Sequence, residues 1–317
     1  MSIDQITYTV FGGVILLALG FDLGLLSKRS AHISIKKALL QTAFWVVLAL
    51  LFGYFLWREY GKEPALEYIS AYLMEWSLSI DNIFVFILIF SFFRIRANHV
   101  PRALLVGILM AIVLRVIFIS VGVVLVEKFK WLLYVFGVFL IYTGVKVFTV
   151  KQDDNFDPLT NPVYIFINRF FPIIHEDVGG KLVVRRNGKR FYTNLFLVIT
   201  ILATTDIVFA TDSIPAVFAL VTQQDPNIKR LIIYTSNTFA VLGLRALYFL
   251  LKGAVRRFEY LQQGIAIVLV FIGLKMLLPL VTDKYRLPTT VSLLVIVICF
   301  VGSILYSIQA TRNNKII

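Results

Sequence analysis

Two pairs of acidic residues with the same spacing lie inside long apolar stretches of the chain. The first pair is Glu75 and Asp81, and the second is Asp206 and Asp212. A charged side chain at mid-bilayer depth costs at least about 2.5 kcal/mol unless it is paired, solvated or protonated. Acids in such positions are functional candidates, and four of them in one membrane protein predict a cation site.

The geometry of a helix limits how each pair can bind an ion. Six residues advance about 600° around an ideal helix, so the two acids of a pair point about 120° apart. Both can face one ion only where the backbone between them is distorted. Pro215 cannot donate to the carbonyl of Thr211, so we expect a break near Asp212. The freed carbonyl and Ser213 would add oxygen ligands there, and Asn82 would do so in the first segment.

The donor types favour a hard cation. The three histidines, His32, His99 and His175, fall in predicted loops, and the one cysteine, Cys299, is remote from both acid pairs in sequence. Carboxylate, hydroxyl, amide and carbonyl oxygens favour Mg²⁺, Ca²⁺ or Mn²⁺ over Zn²⁺ and Cu⁺. We therefore expect no permanently bound cofactor and a transported divalent cation. No phosphate loop or nucleotide motif is found, and ATP-driven transport is not expected.

Two arginines lie in apolar segments and are expected to balance charge. If Arg115 and Arg245 share one cavity with the four acids, the negative charge exceeds the positive charge by two. One divalent cation or two protons would neutralise it, so H⁺ is a candidate counter-ion. The arginines are expected to be structural or gating partners of the acids and not ligands.

The elements that must position these residues are membrane helices. The chain has 317 residues, of which 59% are hydrophobic and 15% charged. Its mean hydropathy of +0.85 is far outside the range of soluble proteins. We predict an all-α polytopic membrane protein with one transmembrane domain over 1–317. The predicted spans are 5–26, 36–57, 66–92, 100–126, 130–150, 191–221, 229–251, 260–281 and 289–310.

The basic residues indicate orientation. The net charge is +13. The loops on one side of the predicted bundle carry more than twice as many Lys and Arg residues as the loops on the other, which predicts an N-terminus outside and a C-terminus in the cytoplasm. The orientation of the protein in the membrane thus explains the net positive charge, and no nucleic-acid partner is expected. Asp22, near the inner end of the first span, is a candidate gate residue or interface marker.

Internal similarity divides the chain into two repeats. Asp81 and Asp212 are 131 residues apart, and Arg115 and Arg245 are 130 apart. Lys146 is likewise 129 residues before the corresponding lysine of the eighth span. We predict a first repeat over about 66–150 and a second over about 191–281, with opposite orientations. Inverted repeats are typical of secondary transporters, which bind substrate near the midplane.

The remaining loop features are minor. The loop 151–190 is predicted to be cytoplasmic and to contain an interfacial segment over 163–174 and a small hairpin turning at Asn187 and Gly188. Glu67, at the outer end of the third span, is expected to be solvated.

The motifs around the acid pairs resemble the TerC family, and more closely its Alx-like branch, which is related to the lysine-exporter superfamily. The resemblance rests on the segments 75–84, 205–218 and 235–251 and covers nearly the whole chain. It implies an inner-membrane protein associated with Mn²⁺ export, metal supply to secreted enzymes and, in some members, tellurite resistance. Several members of the branch have an acid at the position of Ala203, so affinity and stoichiometry do not transfer directly.

Carried over from the family, the metal site would consist of Glu75, Asp81, Asn82, Asp206, Asp212 and Ser213. We expect an Mn²⁺ exporter, with export implied by the resemblance and not by the spacing. A Ca²⁺/H⁺ or general cation/proton exchanger remains an alternative on the same residues.

Two readings without transport also remain. A tellurite-resistance scaffold would tolerate loss of the acids. An intramembrane aspartyl protease could use Asp81 and Asp212, but the Gly-x-Gly-Asp element is missing, and we do not expect an enzyme.

Overall fold

The computed structural model describes residues 9, 11–17, 20, 34–149, 162–174, 179–186, 189–252, 261–281 and 287–313. Residues 11–17 are helical. Within the described ranges from residue 34 onward, the helices are α1 (Ile35–Tyr60), α2 (Lys62–Phe92), α3 (Val100–Lys128), α4 (Leu132–Thr149), α5 (Pro162–Phe170), α6 (Asn194–Leu220), α7 (Pro226–Leu251), α8 (Leu261–Val281) and α9 (Thr289–Asn313).

The predicted all-α polytopic membrane class is confirmed. Among the described residues, seven helices are long and apolar enough to cross a membrane: α1, α2, α3, α6, α7, α8 and α9. Helix α4 is apolar but shorter over its hydrophobic part, Leu132–Val147. Most of the first predicted span, including Asp22, lies outside the described residues, so the number of nine spans stays a prediction.

Local sequence signals fix several helix ends. Gly61 separates α1 from α2 with a φ of 92°, which favours glycine because it has no Cβ. Helix α6 begins after Thr193, whose Oγ1 accepts a hydrogen bond from the Phe196 amide at 3.4 Å. It continues as one helix through Pro215, so the expected break near Asp212 is not found.

Contacts between helix ends define two faces of the bundle. At one end, the Asn194 side chain donates to the carbonyl of Phe93 at 3.1 Å. We call this end, where the chain between α4 and α6 lies, the loop face. At the other end, which we call the opposite face, Arg230 at the start of α7 pairs with Glu127 near the end of α3. Helix α7 is the most buried span and packs against α1, α2 and α3.

Helices α4 and α8 approach each other closely at glycines. A Cβ on Gly144 would lie 2.7 Å from the carbonyl oxygen of Ala266, and a Cβ on Gly273 would lie 2.6 Å from that of Gly137. Gly144 and Gly273 are 129 residues apart, and so are Gly137 and Ala266. Moving each residue of the first contact by this offset to the corresponding position on the other helix gives the second contact. This is expected for helices related by an approximate two-fold axis. This agrees with the inverted repeat, which remains a prediction.

A three-stranded sheet covers part of the loop face. Strands β1 (Ile173–Ile174), β2 (Val183–Arg186) and β3 (Lys189–Thr193) form the order β1-β3-β2. β2 and β3 pair antiparallel up to Arg186 and Lys189, which flank the predicted turn. The turn residues Asn187 and Gly188 lie outside the described residues. β1 was not predicted; it pairs with β3 in parallel.

Candidate functional site

Arg115 joins the two membrane acids Glu75 and Asp206. Its Nη1 donates to Glu75 Oε1. Its Nη2 donates to both oxygens of Asp206 at 2.9 Å, and its Nε donates to Asp206 Oδ2 at 3.1 Å. The side chains of Arg115, Glu75 and Asp206 are only 3%, 1% and 2% exposed. Such a bidentate, fully desolvated arrangement fixes α2, α3 and α6 relative to one another.

This buried group lies near the middle of the bundle. Glu75 is about 20 Å along α2 from the opposite face, and Asp206 is about 18 Å along α6 from the loop face, at about 1.5 Å per residue. Since the hydrocarbon core is about 30 Å thick, both acids lie near mid-depth. With all three groups ionised, they carry one net negative charge, which one more positive charge would neutralise.

Two asparagines complete the surroundings of this group. Asn237, on the central helix α7, accepts from Arg115 Nη1 at 3.2 Å through its Oδ1, and its Nδ2 donates to the Ile233 carbonyl at 3.1 Å. The Nδ2 of Asn82 lies 3.5 Å from Asp206 Oδ1. Asn82 is one of the predicted site residues. The role of Asn237 was missed, although a buried amide in an apolar segment is itself a signal, because buried polar groups need partners.

Asp212 faces a different helix from its partner Asp206. Thr143 on α4 donates to Asp212 Oδ1 at 3.3 Å, while Asp206 faces Arg115 on α3. Because α6 is a continuous helix, the six-residue spacing points the two acids to different neighbours. Thr143 was not predicted as a site residue. Asp212 is half-buried and lies about 12 Å along α6 from the opposite face.

Several buried oxygens in this region have no hydrogen-bond partner in the described part of the chain. They are Glu75 Oε2, Ser79 Oγ, Thr205 Oγ1 and Ser213 Oγ. Glu75, Ser79 and Asn82 share one face of α2, since they are four and three residues apart. Asp206 and Ser213, seven residues apart, share one face of α6. Buried oxygens without donors are a costly arrangement unless a ligand or water supplies the missing contact.

The loop-face side of Asp206 is apolar and closed. The space beside Asp206 on this side has no room for a water molecule. The residues around that space are Phe86, Leu104, Gly107, Ile108, Ala111, Leu202, Val241 and Leu244. These side chains form an apolar layer between Asp206 and the loop face.

The other predicted site residues are placed as follows. Arg245 is buried on α7, with 7% of its surface exposed. The side chain of Asp81 and the whole of Asp22 lie outside the described residues, although the backbone of Asp81 is in α2. Among the described side chains, no three His, Cys, Asp or Glu residues are close enough to share a metal ion. Of the predicted site acids whose side chains are described, Glu75 and Asp206 meet at Arg115, and Asp212 lies at a separate position.

The prediction that Glu67 is solvated is wrong. Glu67 is 1% exposed, and its Oε1 accepts from the Thr222 amide at 3.0 Å and from the Thr222 hydroxyl at 2.6 Å. The contact joins the start of α2 to the chain that follows α6. Sequence position at a helix end suggested exposure, but packing of the neighbouring helices buries the carboxylate.

Comparison with known proteins relates the chain to one membrane family. It is 42% identical over 303 residues to the "Uncharacterized membrane protein STKORF319" of Myxococcus xanthus, covering 96% of this chain and 92% of that protein. It is 41% identical over 292 residues to the "Putative membrane-bound redox modulator Alx" of Salmonella typhi, covering 89% and 88%. The Escherichia coli K12 protein of the same name is 40% identical with the same coverage. No solved structure matches.

Residues 60–315 match the family described as "Integral membrane protein TerC family". This range contains both acid pairs, Arg115 and every described transmembrane helix from α2 to α9. The chain therefore belongs to the integral membrane protein TerC family.

Proposed function

We propose that this protein exports a divalent metal cation, with Mn²⁺ as the preferred ion, from the cytoplasm through the acidic groups at mid-membrane depth. The loop face would be the cytoplasmic face of the inner membrane, with the N-terminus outside and the C-terminus inside. The family resemblance supplies the ion and the direction, and the arrangement of buried charges supports a cation pathway.

The observation that carries the proposal is the ion-paired group of Glu75, Arg115 and Asp206. Two carboxylates are held in the buried interior by a single guanidinium, although ionised groups in a membrane are costly. A purely structural ion pair needs one acid for one base. The second acid leaves one negative charge, which a bound cation or a proton would neutralise.

The buried oxygen atoms of this region are of the kind that binds a hard divalent cation. Glu75 Oε2, Ser79 Oγ, Thr205 Oγ1 and Ser213 Oγ are oxygens without hydrogen-bond partners among the described residues. Oxygen ligands of this kind favour Mn²⁺, Mg²⁺ and Ca²⁺. Asp212 offers a further carboxylate on the way to the opposite face.

Arg115 would act as a tethered cation that competes with the transported ion. In the described conformation its guanidinium occupies the carboxylates of Glu75 and Asp206. An arriving cation would take over part of this negative charge, and the weakened hold on Arg115 would release α3 from α2 and α6. When the ion leaves, Arg115 would return and prevent an empty, uncompensated site. Such competition couples ion binding to helix movement, because the ion favours the state in which Arg115 has moved.

The test is metal flux into proteoliposomes that contain the purified chain. We expect Mn²⁺ flux by the wild type and at least a tenfold loss in Asp206→Asn and in Asp212→Asn. The matched control is Glu127→Gln, which removes a carboxylate that is 44% exposed in a surface ion pair and should keep wild-type flux. Equal flux in all variants, or none from folded wild-type protein, would reject the exporter.

Metal competition separates the remaining alternatives. Excess Ca²⁺ that abolishes Mn²⁺ flux, with proton movement in exchange, would favour a Ca²⁺/H⁺ or general cation/proton exchanger. Full tellurite resistance in cells carrying Asp206→Asn would favour a scaffold without transport. The relatives are named as redox modulators, whereas this sequence has a single cysteine, Cys299, which has no partner within the given sequence for a disulfide.

A further inference from the structure

The hairpin at the loop face places like charges directly opposite each other. In the pairing of β2 with β3, Arg185 faces Arg190 and Arg186 faces Lys189. All four side chains are exposed. Like charges in directly opposite positions destabilise a sheet. Within the described part of the chain, neither Arg185 nor Arg190 forms an ion pair. We call these four residues the basic tip.

The base of the hairpin is apolar and fixed to the membrane domain. Val183 pairs with Tyr192, and Val184 pairs with Phe191. The Tyr192 ring lies 4.7 Å from that of Phe196 in the first turn of α6. Counted from the Val183–Tyr192 pair, the basic tip begins two residues along the strands and ends three residues along them, at about 10 Å. The tip is therefore held at a defined short distance from the end of α6.

The neighbouring helix α5 marks the level of the membrane surface. Ile167 of α5 is 3% exposed and packs on the bundle, whereas Ile165, Phe166 and Phe170 are 55%, 57% and 63% exposed. A short helix with an exposed apolar face is typical of the bilayer interface. Phe171 follows α5 directly, and its ring lies 5.1 Å from that of Tyr192. The hairpin base thus lies at interfacial depth.

We infer that the basic tip binds the headgroups of anionic phospholipids in the leaflet at the loop face. The tip lies about 10 Å from the interfacial layer, close to the Debye length of about 8 Å at physiological salt. Each Lys or Arg near an anionic surface raises the binding constant for that surface by about fivefold. Headgroup phosphates between the strands' side chains would relieve the repulsion between Arg185 and Arg190.

Topology alone does not account for this arrangement. Basic residues near span ends orient a membrane protein by their number, and that effect does not require them to face each other across two strands. An anionic surface does explain it, because lipid phosphates would attract the same basic side chains that repel each other in the isolated hairpin. The inference is independent of transport.

The test is hydrogen–deuterium exchange of the full chain in nanodiscs of phosphatidylcholine, with or without phosphatidylglycerol. In wild type, we expect phosphatidylglycerol to slow exchange of the amides of residues 183–193 by at least about fivefold, the contribution of one basic residue. At 1 M salt, where the Debye length is about 3 Å, this protection should disappear. Equal exchange in both lipid compositions at low salt would overturn the inference, and this arm needs no variant.

A charge-neutral tip gives the second arm. In the variant Arg185→Gln/Arg186→Gln/Lys189→Gln/Arg190→Gln, the ribbon should exchange more slowly than wild type in pure phosphatidylcholine and should not respond to phosphatidylglycerol. The control Lys36→Gln/Lys37→Gln, which removes basic residues elsewhere on the loop face, should respond like wild type. Protection by phosphatidylglycerol that persists in the neutral tip would overturn the inference. Protection by a short RNA in neutral nanodiscs, without an effect of phosphatidylglycerol, would do the same and indicate a nucleic-acid partner.

Discussion

Replacing Arg115 with methionine tests whether the buried ion-paired group holds the helices together. Methionine keeps an unbranched side chain that can fill the space. The change removes every hydrogen bond from this position to Glu75, Asp206 and Asn237. Two carboxylate side chains then remain buried, 1% and 2% exposed, with no guanidinium between them.

The expected cost follows from the burial. Removing one partner of a buried ion pair costs about 3–5 kcal/mol, because the remaining charge is neither solvated nor compensated. Arg115→Met should therefore lose about that much stability at neutral pH. The triple change Arg115→Met/Glu75→Gln/Asp206→Asn leaves no charge in this group and should recover most of the loss.

The assay is equilibrium unfolding of purified protein in mixed micelles at neutral pH, followed by circular dichroism. The matched control is Arg230→Met, whose partner is Glu127 in a pair with 40% and 44% exposed side chains; exposed pairs contribute about 0–1 kcal/mol. If Arg115→Met is as stable as Arg230→Met, or if the triple change is no more stable than the single one, the buried charges do not act as described.

Two further predictions concern packing and the opposite face. Gly273→Ala should lose about 1–3 kcal/mol of stability, because the new methyl would lie 2.6 Å from the Gly137 carbonyl oxygen. The control Gly302→Ala has open space around the new methyl and should gain up to about 1 kcal/mol from helix propensity. Melting curves compare the two variants, and equal melting points would contradict the close approach of α4 and α8. Glu67→Leu removes the acceptor of two hydrogen bonds from Thr222, so the Thr222 amide should exchange with deuterium faster than in wild type, and an unchanged rate would show that this contact does not hold the end of α6.

The predicted spans agree with the helices to within a few residues wherever the structure describes them. The third predicted span, 66–92, ends with α2, which begins four residues earlier at Lys62. This agreement follows from the fact that hydropathy and helix-breaking residues act within one segment. The hairpin strands were also predicted from local signals. Strand β1 was missed because two residues carry no strand pattern, and only pairing with β3 makes them a strand.

The candidate site was predicted less completely. The sequence was enough to predict which acidic residues lie in the membrane and at about what depth, and it also showed Arg115 in an apolar segment. The sequence did not predict that Arg115 reaches both Glu75 and Asp206, which are 40 and 91 residues away from it. Nor did it predict Thr143 as the partner of Asp212, because the facing direction of each helix depends on its neighbours.

The sequence by itself determined the class, the helical elements and the family of this protein, because apolar length, end signals and long motifs are properties of contiguous residues. The tertiary structure alone decided which polar groups meet. It paired Glu75 with Asp206 through Arg115, placed Thr143 beside Asp212, and buried Glu67 against Thr222, which is 155 residues away. Rotation and depth of one helix against another arise from packing across the whole bundle, and spacing along a single segment does not encode them.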